Sequence, residues 1–595
     1  MRKTVRIMTW LVVLVVGAAL GLARAGGNYT AQGLILGPAG APLAGANVSF
    51  YPAYEAVRPH SQLTTGADGR YAFSLEATDA QGSRGLIVVQ KEGLAWNARQ
   101  WPLLDDMVAD IRLARPAELA GVIVDEKNVP IAGAAVSLQA PRSSDVRSTY
   151  ISERLAQELF TTTTDGQGRF RFMTLADGWQ TDFLIAAPGY ATLRTRYLPD
   201  ALYTTYGPGQ ADIHFALRPE AKVSGVVVSE SDGTPIPNIE VGIGRTRSSA
   251  RHGFESVVSD EAGRFRLRSL PGGDFWLAVT TSPASDPNWV AQPVPVRTQV
   301  GRTAEGVALE LTRGGTLEVK VCDEQGNPIE EAWLSICDRA GHHSGQGRTD
   351  VHGVGRVRLP AGEHKLVDTG KNGYHSREPY LSFDIEKGRT IRREVTLKKA
   401  NRIEGVVVDA DGLPASDVRV SLMPSPVGAL VTDQRGRFTM IWDKWSRAYE
   451  SYRRPRFDQA PFELIARDPA GQRAATLVLE EATETPRLVL QPAVTVTGTV
   501  VDAEGRPIER VLVSSWLRGR GRWAWGLNLS PNLRVLTDRA GRFTIRCVPA
   551  ERTCEIRCRT PGYEQTKQQF QTPAAAGRPF DVGTIKLTPK SAQEG

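Results

Sequence analysis

One phrase recurs six times along the chain. With φ for an apolar residue it reads G-φ-φ-V-D-x-x-G-x-P-φ-x-x-A-x-V-x-φ, and such a repeat restricts the fold to a row of similar units. The clearest copies are GVVVDADGLPASDVRVSL from Gly405, GTVVDAEGRPIERVLVSS from Gly498 and GVIVDEKNVPIAGAAVSL from Gly121; looser copies start at Gly33, Gly225 and Gly315. The starting glycines lie 88, 104, 90, 90 and 93 residues apart. That period is too long for one turn of a solenoid and suits a small domain with its own core.

A second phrase follows in every copy: an Asp, a short Gly-containing turn, then Arg and an alternating strand. The series is DGRYAF at Asp68, DGQGRFRF at Asp165, DEAGRFRL at Asp260, DVHGVGRVRL at Asp350, DQRGRFTM at Asp433 and DRAGRFTI at Asp538. Each copy then closes on another alternating strand, such as DIHFAL from Asp212 or GTIKL from Gly583.

Both phrases are backbone chemistry. In Asp409-Ala410-Asp411-Gly412 the first carboxylate is placed to accept from turn amides, and Gly412 supplies the positive φ that closes a hairpin without a Cβ clash. Asn128 stands at the glycine position of copy two, and Asn is the residue that next best tolerates that conformation. Proline follows the turn at Pro130, Pro235, Pro328, Pro414 and Pro507, where loss of a ladder donor is tolerated. Alternation such as Val418, Val420, Leu422 points one face of the strand into a core.

About seven strands in ~90 residues, with frequent turn signals and no long helix, predict an all-β, two-sheet Greek-key sandwich for each copy. The phrases resemble carboxypeptidase regulatory-like repeats, a transthyretin-like (prealbumin-like) sandwich family, over nearly all of the chain after its first residues. They are also similar to starch-binding-like (carbohydrate-binding-like) and collagen-adhesin B-type sandwiches. The resemblance implies non-catalytic accessory domains on exported proteins, serving as spacers, adhesion modules or enzyme partners.

The expected organisation is a signal over 1–25 and sandwiches over 26–115, 116–219, 220–313, 314–399, 400–492 and 493–595, the last with a short tail. Six tandem β-sandwiches with short helical loop insertions are expected to form an extended array.

The start, MRKTVR followed by an apolar run from Ile7 to Ala23 and Ala23-Arg24-Ala25, has the basic, apolar and small-residue regions of a secretory signal. An uncleaved anchor is the alternative, since seventeen mostly apolar residues stand at the short limit for a span. Export implies a secreted, periplasmic or cell-surface protein, with no membrane span once the signal is removed. The formal net charge of +7 falls to +3 without the first 25 residues, so most of the basicity belongs to targeting. The exception is 493–595, which alone carries +7. An exported chain without a reader motif argues against nucleic acid as the partner.

Five Cys in 595 residues are too few to frame the fold. Two local staples are open: Cys322 with Cys337, on consecutive strands, and Cys547 with Cys554, flanking a Pro549-Ala550-Glu551-Arg552 turn. Cys554 and Cys558 share one strand face but are too far apart to bridge, leaving Cys558 as the odd thiol.

Catalytic constellations are weak. His252 and Glu255 form an H-x-x-E in a variable loop, which chance alone explains. His342, His343, His352, His364 and His375 cluster in copy four without metal-ligand spacing and read as solvated loop residues. The Asp turns lack the oxygen series of a calcium loop. Lys320 lies near the position that forms an isopeptide bond in the adhesin domains, but no Asn partner is evident. No enzyme activity, cofactor or metal is expected.

Aromatic insertions are the better candidates for binding. Copy five has Trp442, Trp445 and Tyr449 in WDKWSRAYESYRRPRF, spaced as one face of a short helix. Copy six has Trp516, Trp523 and Trp525 among Arg518, Arg520 and Arg522. Such rings stack on sugars, and the arginines suit an anionic glycan or an envelope surface. The competing reading packs the rings onto the protein itself, and a protein partner is a third. A further insertion, TYISERLAQELF from Thr149, reads as a self-packing helix. The function expected is therefore a structural spacer or adhesion module; the alternative is carbohydrate binding through copies five and six, with a zinc peptidase accessory or enzyme a distant third.

Overall fold

The computed structural model describes residues 28–590 apart from 53–55, 77–83, 103–105, 144–150, 198–205, 252–254, 281–288, 372–373, 377–380, 400, 424–429, 443–461, 469, 480–484, 519–522, 525–534 and 575–576. The secretory-signal segment lies outside the described residues. Among those described, no helix is long and apolar enough to cross a membrane.

Copy three shows the plan of the repeat. Its first strand, Ala221–Ser229, is the centre of a three-stranded sheet, antiparallel to the fourth strand, Arg264–Leu270, and parallel to the seventh, Thr303–Leu311. The second strand, Glu240–Gly244, lies between the third, Glu255–Val258, and the fifth, Gly273–Val279; the sixth, Val294–Thr298, completes the other sheet. Inward residues of both sheets, among them Val223, Val227, Val241, Ile243, Phe265, Leu277 and Leu309, form one buried cluster. Each of the six copies has the same two-sheet plan, with its opening strand always central and its last strand always parallel to it. The all-β, tandem-sandwich expectation stands.

The turns form for the reasons given by their sequence. Asp409 Oδ1 accepts from the amides of Asp411 at 3.0 Å and Leu413 at 2.9 Å, and Asp433 Oδ1 from Arg435 and Arg437 at 2.8 Å each. Gly412 has φ +81 and Asn128 φ +61, as the turn requires. Copy one departs from the pattern: Gly66 takes the turn position held by Asp165 in copy two, and Asp68 lies two residues later.

Two further features explain the repeat. The opening glycine is required by close approach: a Cβ at Gly225 would sit 2.1 Å from the carbonyl oxygen of Val307, on the parallel seventh strand. The second is a hydroxyl before the second phrase, Thr65, Thr164, Ser259, Thr349, Thr432 and Thr537, buried in every copy. In copy five Thr432 Oγ1 accepts from the Val418 amide at 2.9 Å and donates to the Ala415 carbonyl at 2.7 Å. Thr537 makes the same pair of bonds to Val511 and Ile508. Each hydroxyl thereby ties the loop leading into the second strand to the loop leading into the fourth.

The copies are not separate beads. The helix in the copy-two insertion, Glu153–Leu159, is N-capped by Ser152. It packs between copies rather than on its own domain alone: Leu155, Ala156 and Phe160 share a buried cluster with Tyr51, Leu86, Val88 and Ala98 of copy one. Copies two and three meet through Arg194 and Glu255 at 3.1 Å, and copies three and four through the His343 amide and Ser248 Oγ at 3.0 Å. The array also folds back on itself, which corrects the extended arrangement expected: Arg99 of copy one pairs with Asp417 of copy five at 2.8 Å.

Both suggested disulfides are corrected, for all five cysteines are buried and none is joined in a disulfide. Cys322 and Cys337 lie on strands of opposite sheets, and neither belongs to the core cluster between those sheets, so they face away from each other. Cys547 and Cys554 likewise belong to different sheets; the Cys547 thiol turns out to the Arg473 carbonyl of copy five at 3.0 Å, while Cys554 is in the copy-six core. Cys554 and Cys558 do share that core face.

Candidate functional site

Two of the candidate residues, Trp516 and Arg518, lie on the outer face of the larger sheet of copy six. Strand Leu512–Arg518 alternates between core and surface, with Val513 and Leu517 in the core cluster and Leu512, Ser514, Trp516 and Arg518 outward. Strand Thr553–Arg559 buries Cys554, Ile556 and Cys558 and turns Thr553, Glu555, Arg557 and Arg559 to the same outer face. Register places Trp516 opposite Glu555 and Ser514 opposite Arg557. The third strand, Thr566–Gln571, sets Lys567 opposite Arg557 and Gln569 opposite Glu555.

The chemistry is cationic with one aromatic centre. The Arg557 guanidinium lies 3.5 Å from the centroid of the Trp516 ring. Arg557 also ion-pairs with Glu555, whose other oxygen accepts from Gln569 at 3.4 Å. Glu555 is thus neutralised and buried within the face, while Arg518 and Lys567 are exposed at its margins and Arg559 is half-buried.

Trp516 and Arg518 therefore share the outer face, two residues apart on one strand. Trp523 belongs to a short strand whose backbone pairs in register with Arg518, and Trp442 ends the strand Arg437–Trp442. Arg520, Arg522, Trp525, Trp445 and Tyr449 lie outside the described residues, as does the expected copy-five insertion helix. The sequence reading missed Arg557, Arg559 and Lys567. The alternation of TCEIRCR, with Glu555, Arg557 and Arg559 two apart, carried the signal for the first two.

The remaining chemical candidates have structural roles. His364 is not the solvated loop residue expected: it is buried on strand Gly362–Gly370, with Nε2 2.8 Å from the Pro360 carbonyl and Nδ1 3.0 Å from Ser344 Oγ. Burial lowers its pKa below the ordinary histidine value. Glu255 is engaged by Arg194 across a junction, and His252 lies outside the described residues. Lys320 Nζ is 3.9 Å from Glu394 on the surface. Among the described residues no three His, Cys, Asp or Glu side chains are grouped to hold a metal.

The resemblance seen in the repeats is present as a family match: residues 495–588 of copy six match the carboxypeptidase regulatory-like domain. No curated protein matches the chain. Similar solved structures include the TIE protein of Bacillus anthracis, 16% identical over 64% of this chain and 76% of that one, with a TM-score of 0.15. A minor pilin of Streptococcus agalactiae is 14% identical over 30% of this chain and 95% of its own, with a TM-score of 0.18. The major pilin subunit of Bacillus cereus is 10% identical over 48% of this chain and 100% of its own, with a TM-score of 0.14.

Proposed function

We propose that the chain is an exported, non-catalytic scaffold whose six sandwiches, with the boundaries read from the repeats, hold surface loops and a terminal face in fixed relative positions. The observation that carries this is the junction between copies five and six. There Arg552 clamps Glu463 with its two terminal guanidinium nitrogens, one of them at 3.0 Å from Oε2, and also donates to Thr476 Oγ1 at 3.0 Å. Arg467 donates to the Arg546 carbonyl at 2.6 Å, and Ile465 joins the core cluster of copy six. A bidentate, largely buried pair beside an apolar contact specifies one orientation, whereas a flexible linker would leave the domains free to reorient.

Small-angle scattering on the full chain tests this. A rigid scaffold gives a bell-shaped Kratky plot that is unchanged by moderate salt, and Glu463→Gln loosens it. A plateau typical of flexibly tethered domains in the unmodified protein would overturn the reading. Export is tested separately by fusing the first thirty or so residues to a periplasmic reporter enzyme.

A second reading, contact with carbohydrate through copies five and six, is favoured by Trp516, a half-buried ring on the outer sheet face two residues from the exposed Arg518.

A further inference from the structure

The outer face of the larger sheet is a junction surface in copies one and five. In copy one it carries Leu86 and Val88, which copy two buries. In copy five the positions equivalent by register are Glu463 and Ile465, which copy six covers. In copy six these positions are Glu555 and Arg557, and the apolar residue that seals a sandwich-to-sandwich contact has been replaced by a cation. Tyr51 of copy one and Met423 of copy five correspond to Trp516. The last copy has thus exchanged the chemistry that receives another sandwich for a charged one.

We infer that this face binds an anionic polymer, of the class of acidic polysaccharides, along Arg518, Arg557, Arg559 and Lys567. This rests on reading the face as a contact surface and not on the scaffold proposal. Among the described residues of the face the one carboxylate is Glu555, already held by Arg557 and Gln569, so the surface carries an excess of about three positive charges. Arg557, Arg559 and Lys567 are neighbours at ~5–7 Å, the spacing of adjacent strands and of alternate residues along one strand, and Arg518 extends the row from the far side of Trp516, opposite Thr553. Gln569 and Gln571, exposed on the third strand, add neutral donors. A second copy of the chain would bring the same positive face and be repelled. A neutral glycan held by stacking is disfavoured because the Arg557 guanidinium occupies one face of the Trp516 ring.

The test uses the full chain and polygalacturonate of defined length, with dextran of matched length as the neutral control. Two variants with equal changes in net charge are compared: R518E/R559E/K567E on the face and R70E/R297E/R339E at exposed sites elsewhere. Titration calorimetry should show polygalacturonate binding that weakens about tenfold or more between about 20 mM and 200 mM NaCl. The face variant should lose about tenfold or more in affinity while the scattered variant stays within about twofold. Equal losses in the two variants would reduce the effect to net charge and overturn the proposal. So would dextran binding as tightly as polygalacturonate, absence of binding to either, or self-association of the chain that the face variant abolishes. Identical circular dichroism of all three proteins excludes misfolding as the cause of a loss, and intact scattering alongside failed binding would overturn this inference without touching the scaffold.

Discussion

The guanidinium of Arg99 and the carboxylate of Asp417, 318 positions apart in the chain, lie 2.8 Å from each other. Arg99 is almost wholly buried in copy one, on the same strand face as the core residue Trp101. Asp417 reaches it from a turn in copy five, where it holds a positive φ of +60. Arg510, at the equivalent turn position of copy six, also has positive φ. It lies near Tyr206 of copy two, whose phenol is pushed up to about 12 by burial, with Arg510 opposing the rise. Matching turns of the last two copies thus address the first two.

Asp417→Ala should therefore release copy five from copy one while each sandwich stays folded. Six sandwiches strung end to end would span roughly 150–200 Å, taking ~25–35 Å for strands of eight to ten residues. The unmodified chain should be well short of that by small-angle scattering, and the variant measurably longer. Equal maximum dimensions in the two proteins would show that the pair does not hold the fold-back.

Thr432→Val keeps the shape of the side chain but leaves the buried Val418 amide and Ala415 carbonyl without their shared partner. A loss of about 1–3 kcal/mol in the stability of copy five is expected. Thr432→Ser, which retains the hydroxyl, should lose much less. Urea unfolding that does not separate the two variants would refute the staple.

His364 predicts a pH dependence of copy four. Its folded pKa is lowered by burial, so between that value and the ordinary 6.5 the unfolded chain binds the extra proton. Its contribution to stability is complete above pH 6.5 and is lost as pH falls toward the folded pKa. Thermal unfolding of the full chain should show a copy-four transition that moves down on acidification below 6.5, and His364→Gln should flatten that shift. A transition indifferent to pH between about 7 and 5 would contradict the buried neutral imidazole.

The thiols should be silent in the folded protein. Burial pushes Cys554 and Cys558 up to about 12 and raises Cys547 as well. At pH 8 a disulfide-exchange reagent should react slowly or not at all with the native chain and should count five thiols after denaturation without reductant. A count of one or three would restore a disulfide.

The repeat phrases were legible because they are local. A carboxylate two residues before an amide, a glycine in a left-handed turn and a period-two strand satisfy their requirements within a dozen residues. Gly412, Asn128 and the Asp409 turn accordingly fold as their sequence implies. Trp516 and Arg518 were legible as a pair for the same reason, being two apart on one strand.

What the sequence by itself determined is the sandwich and its sixfold repetition, since backbone hydrogen bonding and side-chain alternation within each copy suffice to specify them. Tertiary structure alone decided which outer faces are covered. Leu86 and Val88 read like core residues until copy two is seen to bury them, and Ile465 belongs to the core of the next domain. The cysteines follow the same logic: sequence placed them on neighbouring strands, but in this sandwich the first and second strands, like the fourth and fifth, belong to opposite sheets, and the thiols go with them. Contacts between copies depend on the relative placement of surfaces tens to hundreds of residues apart, and no local pattern encodes that Arg99 will meet Asp417.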